Sequence, residues 1–163
     1  MSSIDVSSVV EVSGMKLNHK HLVDDVTWER LVNRIVEDEK IDRSLAERIM
    51  DQALGFLALV KLEPESHYGP SALVDIGWHT FILYTKPYAA FCQDLAGHFI
   101  HHDPTDVPGV DYSEGNTPSD TVTAMARHGL VVDEALWAHL HANDCTASDG
   151  DGDQSCQTGP CTY

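Results

Sequence analysis

The sequence predicts an all-α fold, a compact bundle of about six helices, on three observations. Apolar residues recur at three- and four-residue spacing through most of the stretch from Val26 to Trp137. Asp, Ser and Thr stand just ahead of these runs and prolines or glycines close them, as helix starts and stops require. The chain shows no alternating strand pattern with hairpin turns, no glycine-rich phosphate loop and no internal repeat.

Residues 1–22 have no sustained period and read as an N-terminal arm. From Asp24 or Asp25 to about Glu39, the residues Val26, Trp28, Leu31, Val32, Ile35 and Val36 make one face of a helix. Asp42 N-caps a second helix with a buried stripe of Leu45, Ile49, Leu54, Leu57 and Leu59, stopped by Pro64. Glu63 to Pro70 is a connection. Ser71 caps a third helix from Ala72 to about Tyr84, apolar over most of its surface and therefore expected at the centre of the bundle. Thr85 caps a fourth, with Pro87 in its first turn, running from Lys86 to about His102. Residues 103–119 form a long acidic loop. Ser119 or Asp120 restarts a short helix to about His128, which Gly129 closes, and Asp133 caps a last one through Leu140. Residues 143–163 are polar and poor in aliphatic side chains, a flexible tail that cannot form a packed layer. The helical domain thus spans 23–142.

With 163 residues, 42% of them hydrophobic, the chain fits one domain of roughly 100–200 residues. Against 26 Asp plus Glu stand only 10 Lys plus Arg, a formal charge of -16 that repels a phosphate backbone and excludes nucleic acid as a partner. No apolar run approaches the roughly 20 residues that span a bilayer, so no membrane association is expected. The start lacks the basic and apolar regions of a secretory signal, so the expected location is cytoplasmic. The 10 histidines equal the Lys and Arg combined and give the first functional clue.

The chemistry concentrates between Asp75 and His102. Asp75 and His79 lie one helical turn apart, so the carboxylate can orient the imidazole or join it as a metal ligand. His98 and His102 share that spacing, and His101 falls on the flank. Histidines so spaced recur in helical zinc and iron sites; the plainer alternative is that they crowd an exposed helix end, where imidazolium complements the dipole. In an antiparallel hairpin turning at Thr85–Lys86, His79 lies level with Cys92 and Asp75 with Ala96. That geometry favours a site of Asp75, His79, Cys92 and His98; only a wider crossing or an inward-curling end recruits His101 and His102. Cys92 is a nucleophile if His79 serves as its base, or else a buried small hydrophobe. Trp78, Phe81, Phe91 and Phe99 read as core.

The run Pro70-Ser71, Val74-Asp75, Trp78-His79, Ile82-Leu83, Thr85, Tyr88, Phe91-Cys92 and Gly97 resembles the glycine-rich domain-containing protein-like family, a bacterial and plant helical domain with a DxxWH motif. The resemblance covers roughly residues 25–140 and implies a compact helical domain without naming a substrate. Members often carry a second histidine two positions after the first, where this chain has Phe81. If that histidine is a ligand, His101 or His102 has to replace it.

In the tail, Asp149, Asp151 and Asp153 begin like a calcium loop, but Gln154 and Pro160 stand where an EF-hand needs glycine and glutamate. Cys156 and Cys161 can hold a soft metal or close a disulfide. His19, His21, His139 and His141 are expected at the surface, and His67 is placed to overhang a site on the third helix. The reading these residues favour is a small helical metal-binding protein whose ion, iron, zinc or copper, is held by Asp75, His79 and one or more of His98, His101 and His102. In its enzymatic version the ion activates water or dioxygen for an unknown small molecule or peptide, Tyr84 or Tyr88 positions the reacting species and Cys92 is a further catalytic candidate. The rival is a non-catalytic interaction module with a hydrogen-bonded His/Asp core, recruiting a protein partner through its acidic surface or tail.

Overall fold

In the computed structural model, which describes residues 17–103, 108–109 and 117–138, a 3₁₀ turn at Lys20–Leu22 is followed by six α-helices. They are α1 Asp25–Glu39, α2 Arg43–Leu62, α3 Ala72–Leu83, α4 Thr85–Ala96, α5 Pro118–Arg127 and α6 Glu134–Trp137, and no strand occurs among the described residues. The all-α bundle expected from the sequence is therefore present. The arm up to residue 16, most of the loop after Asp103, His139, His141 and the cysteine-bearing tail lie outside the described residues. No described helix is long and apolar enough to cross a membrane.

Three helix starts follow from their caps. The Asp24 carboxylate accepts the Thr27 N–H at 2.8 Å, Asp42 accepts from Leu45 at 3.0 Å and Ser71 Oγ accepts from Val74 at 3.1 Å. Each satisfies one amide that a first helical turn leaves free. Three expected starts differ. α4 begins at Thr85 itself, with Tyr84 in the cap position and no side-chain cap bond. α5 begins at Pro118, which has no amide hydrogen to satisfy, with Thr117 as the cap rather than Ser119 or Asp120. Asp133 precedes α6 but does not cap it with its side chain, because Arg48 takes both its oxygens at 2.6 and 2.9 Å.

The largest difference lies at the end of α4. Instead of running to His102, the helix stops at Ala96, where Gly97 adopts the left-handed conformation (φ 77°) and donates its amide to the Gln93 carbonyl at 3.0 Å. A residue without Cβ enters that region at no steric cost and ends the helix. Residues 98–103 leave in non-helical conformation, so Phe99, expected in the core, is 43% exposed, while Trp78, Phe81 and Phe91 are buried as expected.

The centre of the bundle is α2 rather than α3. Every residue from Ile49 to Leu59 is buried, and the helix packs against α1, α3, α4 and α5. Fully burying a side chain such as Phe56 is worth roughly 1.5–3 kcal/mol. Two members of this run, Asp51 and Gln52, are polar and are satisfied by the chain's outlying segments. Asp51 accepts the His19 amide at 2.7 Å and lies 3.0 Å from the His19 ring Nδ1. Gln52 donates to the Val131 carbonyl at 3.0 Å and accepts from the Asp133 amide at 3.0 Å and the Trp137 indole at 2.9 Å. His19, expected at the surface, is therefore wholly buried, and its ring occupies the space a side chain at Gly55 would need.

α3 lies against α2 across Gly77, where an added Cβ would meet the Ala53 methyl at 2.7 Å and the Ile49 carbonyl oxygen at 3.1 Å. A glycine-to-alanine change inside a helix ordinarily gains up to about 1 kcal/mol. Here the overlap falls on a neighbouring backbone, and Gly77→Ala is expected to destabilise the fold by about 1–3 kcal/mol in urea unfolding. An unchanged or higher unfolding midpoint would show that the two helices are not in such close contact.

Candidate metal centre

Asp75 enters the first turn of α3, where a carboxylate is favoured by the helix dipole, and His79 follows on the same face. Between them in sequence but on the inner side, Trp78 packs on Phe56 with ring centroids 5.2 Å apart. The Trp78 indole N–H donates to the Tyr88 hydroxyl at 2.9 Å, and that hydroxyl donates to the Ile100 carbonyl at 2.7 Å. A buried phenol thus ties α3 to the segment that leaves α4. Along that segment Ile100 is buried, Phe99 and His101 are exposed, and His102 turns inward beside Ile100's side of the chain.

The His102 ring settles 4.3 Å from the Trp78 ring and 4.3 Å from that of His79, centroid to centroid. Its Nε2 lies 3.0 Å from Asp75 Oδ1, and His79 Nδ1 lies 3.0 Å from Asp75 Oδ2 and 3.0 Å from the Asp75 carbonyl oxygen. One ligand atom from each of the three residues falls within 4.8 Å of the others. The cluster is graded from outside to inside: the side chains of His79, Asp75 and His102 are 58%, 28% and 18% exposed.

The other predicted site residues are placed elsewhere. His98 Nδ1 lies 3.1 Å from the Ala96 carbonyl oxygen and His101 stacks on Phe99 at 4.8 Å, so neither joins Asp75. Tyr84 is half-buried beneath the Arg30 guanidinium, 4.8 Å from its ring centroid. Tyr88 is fully buried with its hydroxyl committed to Trp78 and Ile100, and burial pushes its pKa up. Cys92 is likewise fully buried; burial raises its thiol pKa, which is the opposite of nucleophile activation.

A cavity of about 700 Å³ opens beside the cluster, bordered by Asp75, Trp78 and His102 and also by His67, His98 and His101. Phe56 and Val60 of α2 complete its lining; only the tertiary packing of α2 brings them there, and no local spacing in the sequence marks them.

Residues 18–117 match the family model described as UCP032817-like. The chain belongs to the UCP032817-like family. This corrects the resemblance to the glycine-rich domain-containing protein-like family drawn from the DxxWH run: the family model that matches the chain is a different one. No curated protein and no solved structure matches the chain. The UCP032817-like segment contains α1 to α4 and all three residues of the cluster.

The loop beside the cavity is fastened by Glu63. Its carboxylate accepts from the Tyr68 hydroxyl at 2.6 Å and the Ser66 hydroxyl at 3.2 Å, pairs with Arg127, and lies 2.6 Å from His128 Nε2. The Tyr68, Arg127 and His128 contacts lower its pKa from 4.5 to about 2. A carboxyl group lowered in the folded state contributes stability above its unfolded pKa and loses it as the pH falls through the folded value. Glu63's contribution is therefore expected to be complete above about pH 4.5 and to fade toward pH 2. Urea midpoints measured over that range should fall less steeply for Glu63→Gln than for the parent; parallel profiles would remove Glu63 from this role.

Proposed function

We propose that the protein binds one transition-metal ion through Asp75, His79 and His102. The observation that carries this reading is the convergence of three donors from two separate segments, α3 and the chain after Gly97, on one point beside a cavity. Two imidazoles and a carboxylate form the set that holds non-haem iron with open positions, and it also suits zinc and copper. Donors about 2.1 Å from a common ion sit about 3.0–3.4 Å from one another. Each imidazole lies 3.0 Å from one of the two Asp75 oxygens, within that requirement, while a set of one donor atom from each of the three residues lies within the looser 4.8 Å. Small rotations of the exposed His79 ring can bring its nitrogen into the same sphere. With three protein donors among the described residues, positions remain open toward the cavity. An ion there supplies Lewis acidity toward water or a redox partner for dioxygen, which is the enzymatic form of the reading.

The rival reading has its own support: each Asp75 oxygen already has an imidazole nitrogen at 3.0 Å, and a carboxylate so bonded needs no ion. In that case the domain is an interaction module whose acidic surface, at a formal charge of -16, meets a protein partner. The two readings separate cleanly.

Full-length protein purified without a histidine tag should take up about one ion per chain, with Asp75→Asn, His79→Ala and His102→Ala each weakening binding by roughly 100-fold or more. His98→Ala and His101→Ala should leave it unchanged. An ion present at about 100 times its Kd stabilises the fold by about 2.7 kcal/mol, so chelation should lower the melting temperature of the parent and not of the three ligand variants. Failure of the parent to bind iron, zinc or copper stoichiometrically, in aerobic and anaerobic preparations alike, would contradict the metal reading and favour its rival.

A further inference from the structure

The cavity beside the cluster is built from two unlike surfaces. Phe56, Val60, Trp78 and Ile100 give it an apolar wall, in which the Phe56 and Trp78 rings meet at 5.2 Å. Asp75 and His102 lie at its edge and bring the cluster's inner side to it, whereas His79, the most exposed ligand, is not among its lining residues. Its volume of about 700 Å³ falls inside the roughly 300–1,000 Å³ common for small-molecule sites.

Charge narrows the occupant. Among the described residues no lysine or arginine borders the cavity, and the ionisable side chains lining it are histidines, aspartates and one tyrosine. Tyr68, the tyrosine, has its hydroxyl engaged by Glu63 at 2.6 Å. Apart from the ion itself, a phosphate or other multiply charged anion would find no side-chain cation to neutralise its further charge and would approach a chain of formal charge -16. A single oxygen donor can be met by the ion itself, and a flat ring can be met by Tyr68, Phe99, the exposed edge of Trp78 and the neighbouring imidazoles.

Resting on the metal reading above, we propose that this cavity receives a planar aromatic molecule bearing one carboxylate, whose oxygen completes the metal's coordination while its ring lies against the cavity's accessible aromatic lining, Tyr68, Phe99 and the edge of Trp78. The ligand is thus selected by its ring, and the ion alone does not distinguish it from any other carboxylate.

The test uses full-length protein loaded with zinc, which is redox-silent, titrated calorimetrically with benzoate and with acetate. The two present the same carboxylate and differ in the ring. Benzoate is expected to bind at least about tenfold more tightly, from burial of the ring. Val60→Trp and Ser66→Trp, which fill the cavity from α2 and from the loop before α3, should each bring benzoate down to the level of acetate, with zinc content close to the parent's. Equal affinities for benzoate and acetate in zinc-loaded parent would overturn the aromatic pocket and leave the metal reading standing. So would an undiminished preference in a folded, zinc-loaded tryptophan variant. Failure to bind zinc or any other transition ion would overturn the metal reading, and this inference with it.

Discussion

The Tyr88 hydroxyl sits between Trp78 on α3 and the carbonyl of Ile100, at 2.9 and 2.7 Å, and the approach of His102 to Asp75 depends on that bridge. Both partners are buried polar groups for which water is not at hand, so each needs this oxygen. An unpaired donor or acceptor in such a place costs about 1–3 kcal/mol. The bond therefore does more than add stability. It sets how far the chain after Gly97 can drift from α3, and hence where the side chain two residues beyond Ile100 can reach.

That bridge works only because α3 itself is held rigidly. Gly77 brings α3 onto Ala53 and the backbone of Ile49, and Ser71, while capping α3, also donates to the Leu136 carbonyl at 2.9 Å. α2, in turn, is pinned from both directions by Asp51 and Gln52, which bond the residues before α1 and those around α6. The cluster thus stands on a helix supported by a second helix that is enclosed along its length. Such support is what a metal or ligand site requires if its donors are to stay in place when nothing is bound.

The half of the cluster carried by α3 was legible in the sequence. Asp75 and His79 at one-turn spacing in a capped helix are a local pattern, and local patterns survive folding. The other half was not. The apolar and histidine spacing continues smoothly through Phe99 and His102, and it hides the break at Gly97, whose significance as a left-handed helix end outweighs that period. Once the helix stops, the question of which histidine reaches Asp75 is no longer one of helical phase. Tyr88 holds Ile100 inward, exposing Phe99 and His101 and returning His102 to the site. Of the two arrangements that could recruit His101 or His102, a wider crossing or an inward-curling end, this short non-helical segment is the second, and it brings in His102 alone. Burial of His19 was equally illegible, because its partner Asp51 lies 32 residues away and nothing local announces it. The same holds for Cys92, whose level with His79 in a hairpin says nothing about its enclosure.

The turn after α4 delivers His102, and neither of its histidine neighbours, to the Asp75–His79 face of α3. Nitrogen-detected NMR of the imidazole rings during addition of zinc to the full chain tests this directly, ring by ring. The His79 and His102 ring nitrogens should shift together and saturate at one equivalent, with His98 and His101 unmoved. Equal shifts at His98 or His101, or silence at His79 and His102, would contradict it.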